Sequence, residues 1–447
     1  MERLKLHIKN LGPIKETSIE IAPLTIICGS NNSGKTYISY CIYGLLQTWN
    51  PSISTGIFKE NAIELKETGK TTLDLGKTFQ NKDKIFSELE ADFAESIDVF
   101  FSAPAGTFKD FKLEVENEFK LPESNDYVFE VNSPRLGKLH YKQIGSTIEI
   151  TSLEEDRNFD IGRAQQLLEI YGALAVFDDY FPEPFIVTAE RLGISLFYKE
   201  LDSNRNALVD SLLNLKDSKS RINPHEILER AVSRYSRPVK DHINFTRDLA
   251  DIKKSKGALQ SEKEKIYTEI ETLLGGEYKI SGDEIHFKSK SKKDPYQIPS
   301  YLGSSAVRSL ADVYFYLKHK ARIGDILLID EPESHLTPKN QILFARTISR
   351  LIGFGVNVFI TTHSDFLIKE LSNLIQLNKE FPERDNICKK YGYKKTDRLD
   401  PTVVAAYVAK DGKLEACPVT TEGIEVATFD DAIDLINSIS NDLDYYS

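Results

Sequence analysis

A glycine-rich octet near the start of the chain constrains the possible fold more than any other feature. Residues 29–36 read GSNNSGKT and fit the pattern GxxxxGK[ST] of a phosphate-binding loop. The apolar run Leu24–Ile27 precedes the octet, and a helix pattern follows from about Lys35 to Thr48. A strand, loop and helix in this order direct backbone N–H groups and a helix N-terminus at an anion. We therefore predict a phosphate site in an α/β sheet.

Each residue type in the octet has a defined use when the anion is a nucleotide. Glycines let successive N–H groups wrap a phosphate without Cβ clashes, a lysine reaches the β- and γ-phosphates, and a hydroxyl ligates Mg²⁺. We predict ATP and Mg²⁺ as the bound species, with Thr36 as a magnesium ligand. The predicted nucleotide-binding residues of the loop are Gly29, Asn31, Asn32, Ser33, Gly34, Lys35 and Thr36.

Two apolar runs far along the chain end in polar residues. Ile326–Ile329 leads into Asp330 and Glu331, and Val356–Ile360 leads towards His363. Buried parallel strands deliver polar groups at their carboxyl ends, where α/β sheets bind ligands. We predict that Asp330 holds Mg²⁺ and that Glu331 orients the attacking water. We predict that His363 is a second catalytic residue and contacts the γ-phosphate, because it follows this acidic strand; the alternative is a histidine that only caps its strand.

Composition excludes several other classes of protein. Apolar residues make up 40% and charged residues 28% of the 447 residues, which is typical of a soluble globular protein. No apolar run reaches the roughly 18 residues that a membrane-spanning helix needs. The net charge of −11 disfavours general polyanion binding. The four cysteines show no metal-ligand spacing, and we expect a reducing, cytoplasmic location without membrane association.

The motifs and their order resemble those of ABC-type ATPases related to SMC, RecF and overcoming-lysogenisation (OLD) proteins. More narrowly, the chain resembles the small AAA-family ATPases of prokaryotic defence operons, such as those of the PARIS and Septu systems. The resemblance covers residues 1–48, with KNLGPI and GSNNSGKT, and residues 302–377, with LGSSAVRS, IDEPESHLTPKNQ and TTHSD. The segment TAERLG at residues 188–193 also resembles a recurring family segment; its role stays open, with Arg191 near the nucleotide as one option.

The resemblance implies an active site shared between two copies of the chain. The signature loop of one head would contact the γ-phosphate held by another, in a head-to-tail dimer or a higher homo-oligomer. Ser304 and Ser305 would supply this contact, although Ala306 stands where the family carries glycine. The Q-loop residue stays open among three glutamines, Gln80, Gln143 and Gln165.

The implied architecture is an α/β ABC-type P-loop head with an antiparallel β lobe and a helical insertion. We assign residues 1–194 to the first part of the head, with the β lobe inserted at about 50–160. A helical insertion at 195–275 and the second part of the head at 276–378 follow. Residues 379–447 should form a hairpin around Asp411–Gly412 and a last helix from about Asp430 to Ile439.

The resemblance further implies an ATP-hydrolysing sensor and scaffold of an anti-phage defence system. It would control a separate effector, expected to be a nuclease, through ATP-dependent oligomerisation. The chain shows no HNH-type histidine cluster, and residues 364–447 are short for a Toprim nuclease domain. The alternative is a RecF- or SMC-like DNA-binding repair or recombination ATPase. From Lys216 to Lys256, eleven Lys and Arg residues against six acidic ones either bind nucleic acid or form a solvated helical surface.

Overall fold

The strands of the protein build one mixed central sheet and several smaller antiparallel sheets. In the computed structural model, the described residues are 3–50, 56–116, 119–120, 128–133, 137–154, 159–200, 235–253, 260–282, 284–291, 293–426 and 437–443. The strands are β1 (Leu4–Leu11), β2 (Ile14–Ile21), β3 (Leu24–Cys28), β4 (Lys70–Asp74), β5 (Lys112–Glu116), β6 (Val128–Ser133), β7 (Gly137–Ile144), β8 (Thr147–Ser152), β9 (Pro184–Val187), β10 (Gly276–Ser281), β11 (Glu284–Ser289), β12 (Gln297–Pro299), β13 (Ile326–Asp330), β14 (Asn357–Thr362), β15 (Val404–Lys410), β16 (Lys413–Cys417), β17 (Val419–Thr420) and β18 (Gly423–Ile424).

The described residues also form a series of α-helices. They are α1 (Lys35–Thr48), α2 (Lys59–Thr68), α3 (Leu75–Gln80), α4 (Lys82–Phe100), α5 (Ile161–Phe177), α6 (191–200), α7 (Arg237–Arg247), α8 (Leu249–Ile252), α9 (Gln260–Leu274), α10 (Ser305–Ser309), α11 (Ala311–His319), α12 (Pro338–Gly353), α13 (Asp365–Gln376), α14 (Arg384–Tyr391) and α15 (437–443). No described helix is both long enough and apolar enough to cross a bilayer.

The central sheet brings the three predicted site strands side by side. Its order is β16-β15-β3-β14-β13-β9, with all neighbours parallel except the antiparallel edge pair β15 and β16. Cys28 at the end of β3 pairs with Thr362 on β14, and Thr361 pairs with Asp330 on β13. The carboxyl ends of these strands therefore meet at one edge of the sheet, where α/β proteins bind ligands.

Side chains of the central strands alternate between two hydrophobic cores. Ile27, Leu328 and Phe359 lie in the core shared with α1, β1 and α4, whereas Ile26 and Leu327 lie in the core shared with α11, α12 and α13. Every residue of β3 and β13 is buried. Strands covered on both faces are continuous apolar runs, which is why these two runs were recognisable in the sequence.

The predicted antiparallel lobe is confirmed, but its helices were missed. β1 pairs antiparallel with β2 and β5, and β4, β8, β7 and β6 form a separate antiparallel sheet. The expectation of strand-like alternation across residues 50–160 was wrong for α2, α3 and α4. In α4 the buried positions Phe86, Phe93 and Phe100 recur every seven residues, so helical spacing aligns them towards the core. The predicted domain boundaries stay predictions.

The C-terminal hairpin is confirmed where the sequence predicted it. β15 and β16 are joined at Asp411 and Gly412, whose φ angles of 53° and 81° suit a tight hairpin turn. Of the predicted last helix, only residues 437–439 are described; they are helical, the helix continues to residue 443, and residues 427–436 lie outside the described part. The described parts of the predicted helical insertion, α6 to α9, are helical, and residues 201–234 and 254–259 lie outside the description.

A buried polar network ties the insertion to the central sheet. The His242 Nδ1 accepts a hydrogen bond from the Thr188 N–H at 3.2 Å, so its Nε2 carries the proton and donates to the Asp312 carboxylate at 2.9 Å. Thr246 also donates to this carboxylate at 3.2 Å. His242 and Asp312 are 1% and 2% exposed. The network therefore joins β9, α7 and α11.

Replacing His242 with leucine should lower the free energy of unfolding by about 3 kcal/mol, because it leaves the buried Asp312 carboxylate short of a donor. Urea denaturation measures this change. His140→Leu, at a partly exposed position on β7, is the control and should change stability by no more than about 0.5 kcal/mol. Equal losses in the two variants would contradict a structural role for the network.

Candidate active site

The loop between β3 and α1 has the backbone conformation that a phosphate cradle requires. Gly29, Asn32 and Gly34 have positive φ angles of 147°, 64° and 95°. A Cβ at Gly34 would lie 2.7 Å from the Ile14 side chain, so only glycine fits there. Gly34 is the N-cap residue of α1 and no side chain caps this helix end. Its first N–H groups are therefore available to an anion.

Lys35 lies inside the loop that precedes it. Its side chain is 5% exposed, and its ammonium donates to the carbonyl oxygens of Gly29 at 3.0 Å and Ser30 at 2.8 Å. Burial lowers the pKa of this ammonium, whereas the nearby carboxylates, Glu331 first among them, raise it. The loop therefore holds a partly desolvated positive charge where phosphate oxygens would bind.

Asp330 is fully buried at the end of β13, and β14 lies between β13 and the loop strand β3. The Thr361 hydroxyl donates to its Oδ1 at 2.9 Å. The Ser39 hydroxyl lies near enough to this carboxyl to lower its pKa, yet neither that hydroxyl nor the Asp330 Oδ2 has a hydrogen-bond partner of normal distance and angle among the described residues. Burial raises the pKa of Asp330 to about 6. A buried carboxylate oxygen without a protein donor beside a phosphate loop suits a hard cation such as Mg²⁺.

Glu331 follows in a strained backbone conformation that directs its side chain towards the loop. Its φ angle of 48° lies in the left-handed region that residues with a Cβ rarely adopt. Its Oε2 accepts a hydrogen bond from the Ser334 hydroxyl at 3.2 Å, and its Oε1 lies 3.7 Å from the His363 Nδ1. Glu331 and His363 thus form one polar group opposite the phosphate loop.

Glu333 is a site residue that sequence reasoning missed. It is 4% exposed, and its Oε1 accepts hydrogen bonds from the Thr362 hydroxyl at 2.8 Å and the His363 N–H at 2.6 Å. The same oxygen lies 3.2 Å from the His363 Nδ1. Glu333 therefore holds His363 through its backbone N–H and lies beside its ring. The third acidic residue after the apolar run, two positions beyond Glu331, was the available signal.

One cavity collects these groups. It has a volume of about 330 Å³. Its lining residues come from the phosphate loop, the start of α1 and two distant strand ends: Pro13, Asn31, Asn32, Ser33, Gly34, Lys35, Thr36, Tyr37, Glu331 and His363. The structure therefore brings together the loop residues, Glu331 and His363, as the sequence predicted, with Asp330 buried at the strand end.

The predicted signature residues lie away from this cavity. Neither Ser304 nor Ser305 is among its lining residues. Ser304 caps α10, and its hydroxyl accepts a hydrogen bond from the Val307 N–H at 3.3 Å. Ala306 lies within α10 and has no positive φ, so its Cβ causes no backbone strain at this position. The candidate Q-loop glutamines do not line the cavity either: Gln80, Gln143 and Gln165.

Arg191, which the sequence left without a role, lies under the acidic turn. The side chain is 2% exposed. It donates hydrogen bonds to four backbone carbonyl oxygens: Thr188 at 3.3 Å, Asp330 at 2.8 Å, Glu331 at 2.6 Å and Ser334 at 3.2 Å. The sequence singled out the TAERLG segment, but it could not show that Arg191 lies under a turn 140 positions further along the chain.

The basic stretch from Lys216 to Lys256 lies largely outside the described residues. Among its described members, Arg237 pairs with Asp241 at 2.8 Å and Arg247 pairs with Asp248 at 3.0 Å. The nucleic-acid hypothesis for this stretch therefore stays a prediction.

Comparisons with known proteins identify the family. No curated protein sequence matches the chain. Three solved SMC head structures each share 13% identity with it. The SMC head with an extended coiled coil bound to the C-terminal domain of ScpA, from Pyrococcus furiosus, covers 98% of this chain and 99% of its own with a TM-score of 0.35, and the SMC head from Thermotoga maritima covers 94% of this chain and 100% of its own with a TM-score of 0.34. The SMC head bound to the C-winged helix domain of ScpA covers 93% of this chain and 97% of its own with a TM-score of 0.36. TM-scores this low do not show a common fold. A family model described as an AAA ATPase domain matches residues 1–368, and the chain belongs to this family.

Proposed function

We propose that the protein binds ATP in the phosphate-loop cavity and hydrolyses it. The observation that carries this proposal is the convergence of Lys35, Glu331 and His363 on one cavity, from segments about 300 residues apart in the chain. A positive charge, a carboxylate and a histidine around open helix N–H groups are the groups that phosphoryl transfer to water requires. Membership of the AAA ATPase domain family supports the same proposal.

The residues of the site have different roles in this proposal. The first N–H groups of α1 and the Lys35 ammonium bind the phosphates. Glu331 orients the attacking water towards the γ-phosphate. One of its oxygens accepts a hydrogen bond from the Ser334 hydroxyl, and His363 lies beside the other. Mg²⁺, held by Asp330 and Thr36, would supply positive charge that neutralises the phosphate oxygens. Among the described residues no group of three or more His, Cys, Asp or Glu could hold a metal by itself, so the nucleotide would supply the other ligands.

We further propose that two copies associate head to tail across the nucleotide. Ser304 and Ser305 are absent from their own chain's cavity, so a contact with the γ-phosphate requires another copy. Tyr301 and Leu302, just before them, are 48% and 64% exposed. Association would cover this apolar surface, which is a favourable contribution to the contact.

Ser305→Arg should abolish ATP-dependent association while leaving ATP affinity unchanged, because a bulky side chain would occupy the space of the partner's γ-phosphate. Light scattering with and without ATP measures the mass, and titration with a fluorescent ATP analogue measures the affinity. Ser87→Arg, on the exposed face of α4, is the control and should associate normally. Normal ATP-dependent association of the Ser305→Arg protein would contradict the head-to-tail contact.

The proposed biological role is the sensor and scaffold subunit of an anti-phage defence system. The resemblance of the KNLGPI and LGSSAVRS segments to ATPases of defence operons supports it. In this role the ATP-assembled oligomer holds or releases a separate effector, because nucleotide state changes which surfaces are presented. Co-purification from the native operon should recover the effector with the wild type and lose it with Ser305→Arg. Full function in cells that lack every neighbouring gene would contradict this role.

A further inference from the structure

We propose that Arg191 is a positioning residue for hydrolysis that acts through Glu331; this inference rests on the proposed ATPase function. The Arg191 guanidinium holds the turn 330–334 through the carbonyl oxygens of its first, second and last residues. Arg191 forms no ion pair with a carboxylate among the described residues, although the nearby acidic groups raise its pKa against the lowering effect of burial. Among the described residues, its hydrogen bonds all go to backbone carbonyl oxygens, which is how a side chain sets the path of a turn.

The turn requires such support because its backbone is strained. Glu331 and His335 have φ angles of 48° and 71°, so two residues with a Cβ occupy the left-handed region within five positions. Such conformations persist only where surrounding contacts determine them. The Glu331 N–H donates to the Thr361 carbonyl oxygen at 3.0 Å, and its own carbonyl oxygen accepts from Arg191 at 2.6 Å. The Thr361 bond fixes the peptide unit before Glu331, and Arg191 fixes the peptide unit after it.

The position of the Glu331 side chain follows from this backbone. Its carboxylate lines the phosphate-loop cavity only because the left-handed residue turns the chain away from the direction of β13. Without the guanidinium, the carbonyl oxygens of Asp330 and Glu331 would lose their donor in a buried place, and the turn would relax. A displacement of about 1 Å is enough to lower the rate of an oriented reaction by about 10²-fold.

The same arginine begins the helix that leads into the insertion. Arg191 is the first residue of α6, and the Thr188 that precedes it is held by His242 from the returning helix α7. The guanidinium thus joins the root of the insertion to the water-orienting carboxylate through two successive sets of hydrogen bonds.

Arg191→Lys tests the inference, because lysine keeps the charge but cannot reach three carbonyl oxygens at once. We expect kcat for ATP hydrolysis to fall by about 10- to 100-fold while the Kd of a fluorescent ATP analogue stays within about twofold. Arg191→Gln, which keeps two N–H donors, should give the same pattern and serves if the lysine variant folds poorly. The double variant Arg191→Lys/Glu331→Gln should hydrolyse ATP no more slowly than Glu331→Gln alone, because both changes remove the same function, the orientation of water by Glu331.

Arg350→Lys is the matched control. Arg350 is also buried, at 8% exposure, and pairs with Asp397 at 2.5 Å and Glu269 at 2.6 Å, away from the cavity. This variant should lower Tm but leave kcat unchanged. A wild-type kcat in Arg191→Lys, an additive loss in the double variant, or equal losses of kcat and nucleotide affinity would overturn the inference. A wild-type rate in Glu331→Gln would instead overturn the proposed function itself.

Discussion

Lys35→Ala should lose at least about 30-fold in ATP affinity, which corresponds to about 2 kcal/mol, while the chain stays folded. The Lys35 ammonium is enclosed by the loop that would bind the phosphates, and alanine leaves their negative charge without its nearest cation. Alanine is a strong helix former, so α1 should persist. Titration with a fluorescent ATP analogue measures the affinity, and the thermal unfolding midpoint reports folding.

The control for this change is Lys84→Ala, an exposed lysine on α4 that should bind ATP normally. The comparison separates the loss of one charge at the site from a change in the net charge of the chain. A folded Lys35→Ala protein with normal affinity and normal turnover would contradict the assignment of the phosphate loop as the ATP site.

Glu331→Gln should slow ATP hydrolysis by about 10²-fold or more while ATP stays bound. Glutamine has the size of glutamate and can keep the contact with Ser334, but it has no carboxylate to orient and polarise water. Since ATP would persist, we expect the associated form to accumulate. Release of inorganic phosphate measures the rate, and light scattering on the same sample measures the mass.

Glu88→Gln is the control, since Glu88 lies on α4 and pairs only with Lys84 among its described ionic contacts, at 3.9 Å. It should hydrolyse ATP at the wild-type rate. Unchanged hydrolysis by Glu331→Gln would assign the orientation of water to another group, and His363 would be the first to test, because it lines the same cavity.

The site strands and the phosphate loop could be predicted from sequence because their signals are local. The predicted helix from Lys35 to Thr48 has the observed bounds, and the apolar runs before Lys35, Glu331 and His363 are the strands β3, β13 and β14. Burial on both faces makes such strands uniformly apolar, and a phosphate loop needs glycine at fixed positions. Both requirements involve only a few neighbouring residues, so they can be recognised in the amino-acid sequence.

The sequence alone misjudged the helices α2, α3 and α4, although β4 between them is a strand. Alternating apolar and polar residues at 111–119 and 146–155 led us to extend the β lobe over residues 50–160, yet α4 is a helix of 19 residues. Its buried phenylalanines pack on others from remote segments, such as Phe86 on Phe177 and on Phe181. The spacing of these phenylalanines is itself helical, and their packing on remote segments buries this face of α4.

By itself, the sequence determined the family, the phosphate loop and the acidic strand end, since each depends on neighbouring residues. Only the tertiary structure decided that Arg191 lies under Glu331, 140 positions away, and that Glu333 holds His363. These contacts depend on β9 and β14 being the two neighbours of β13 in the sheet. Strand order is set by how the whole chain packs, and no local residue pattern encodes it.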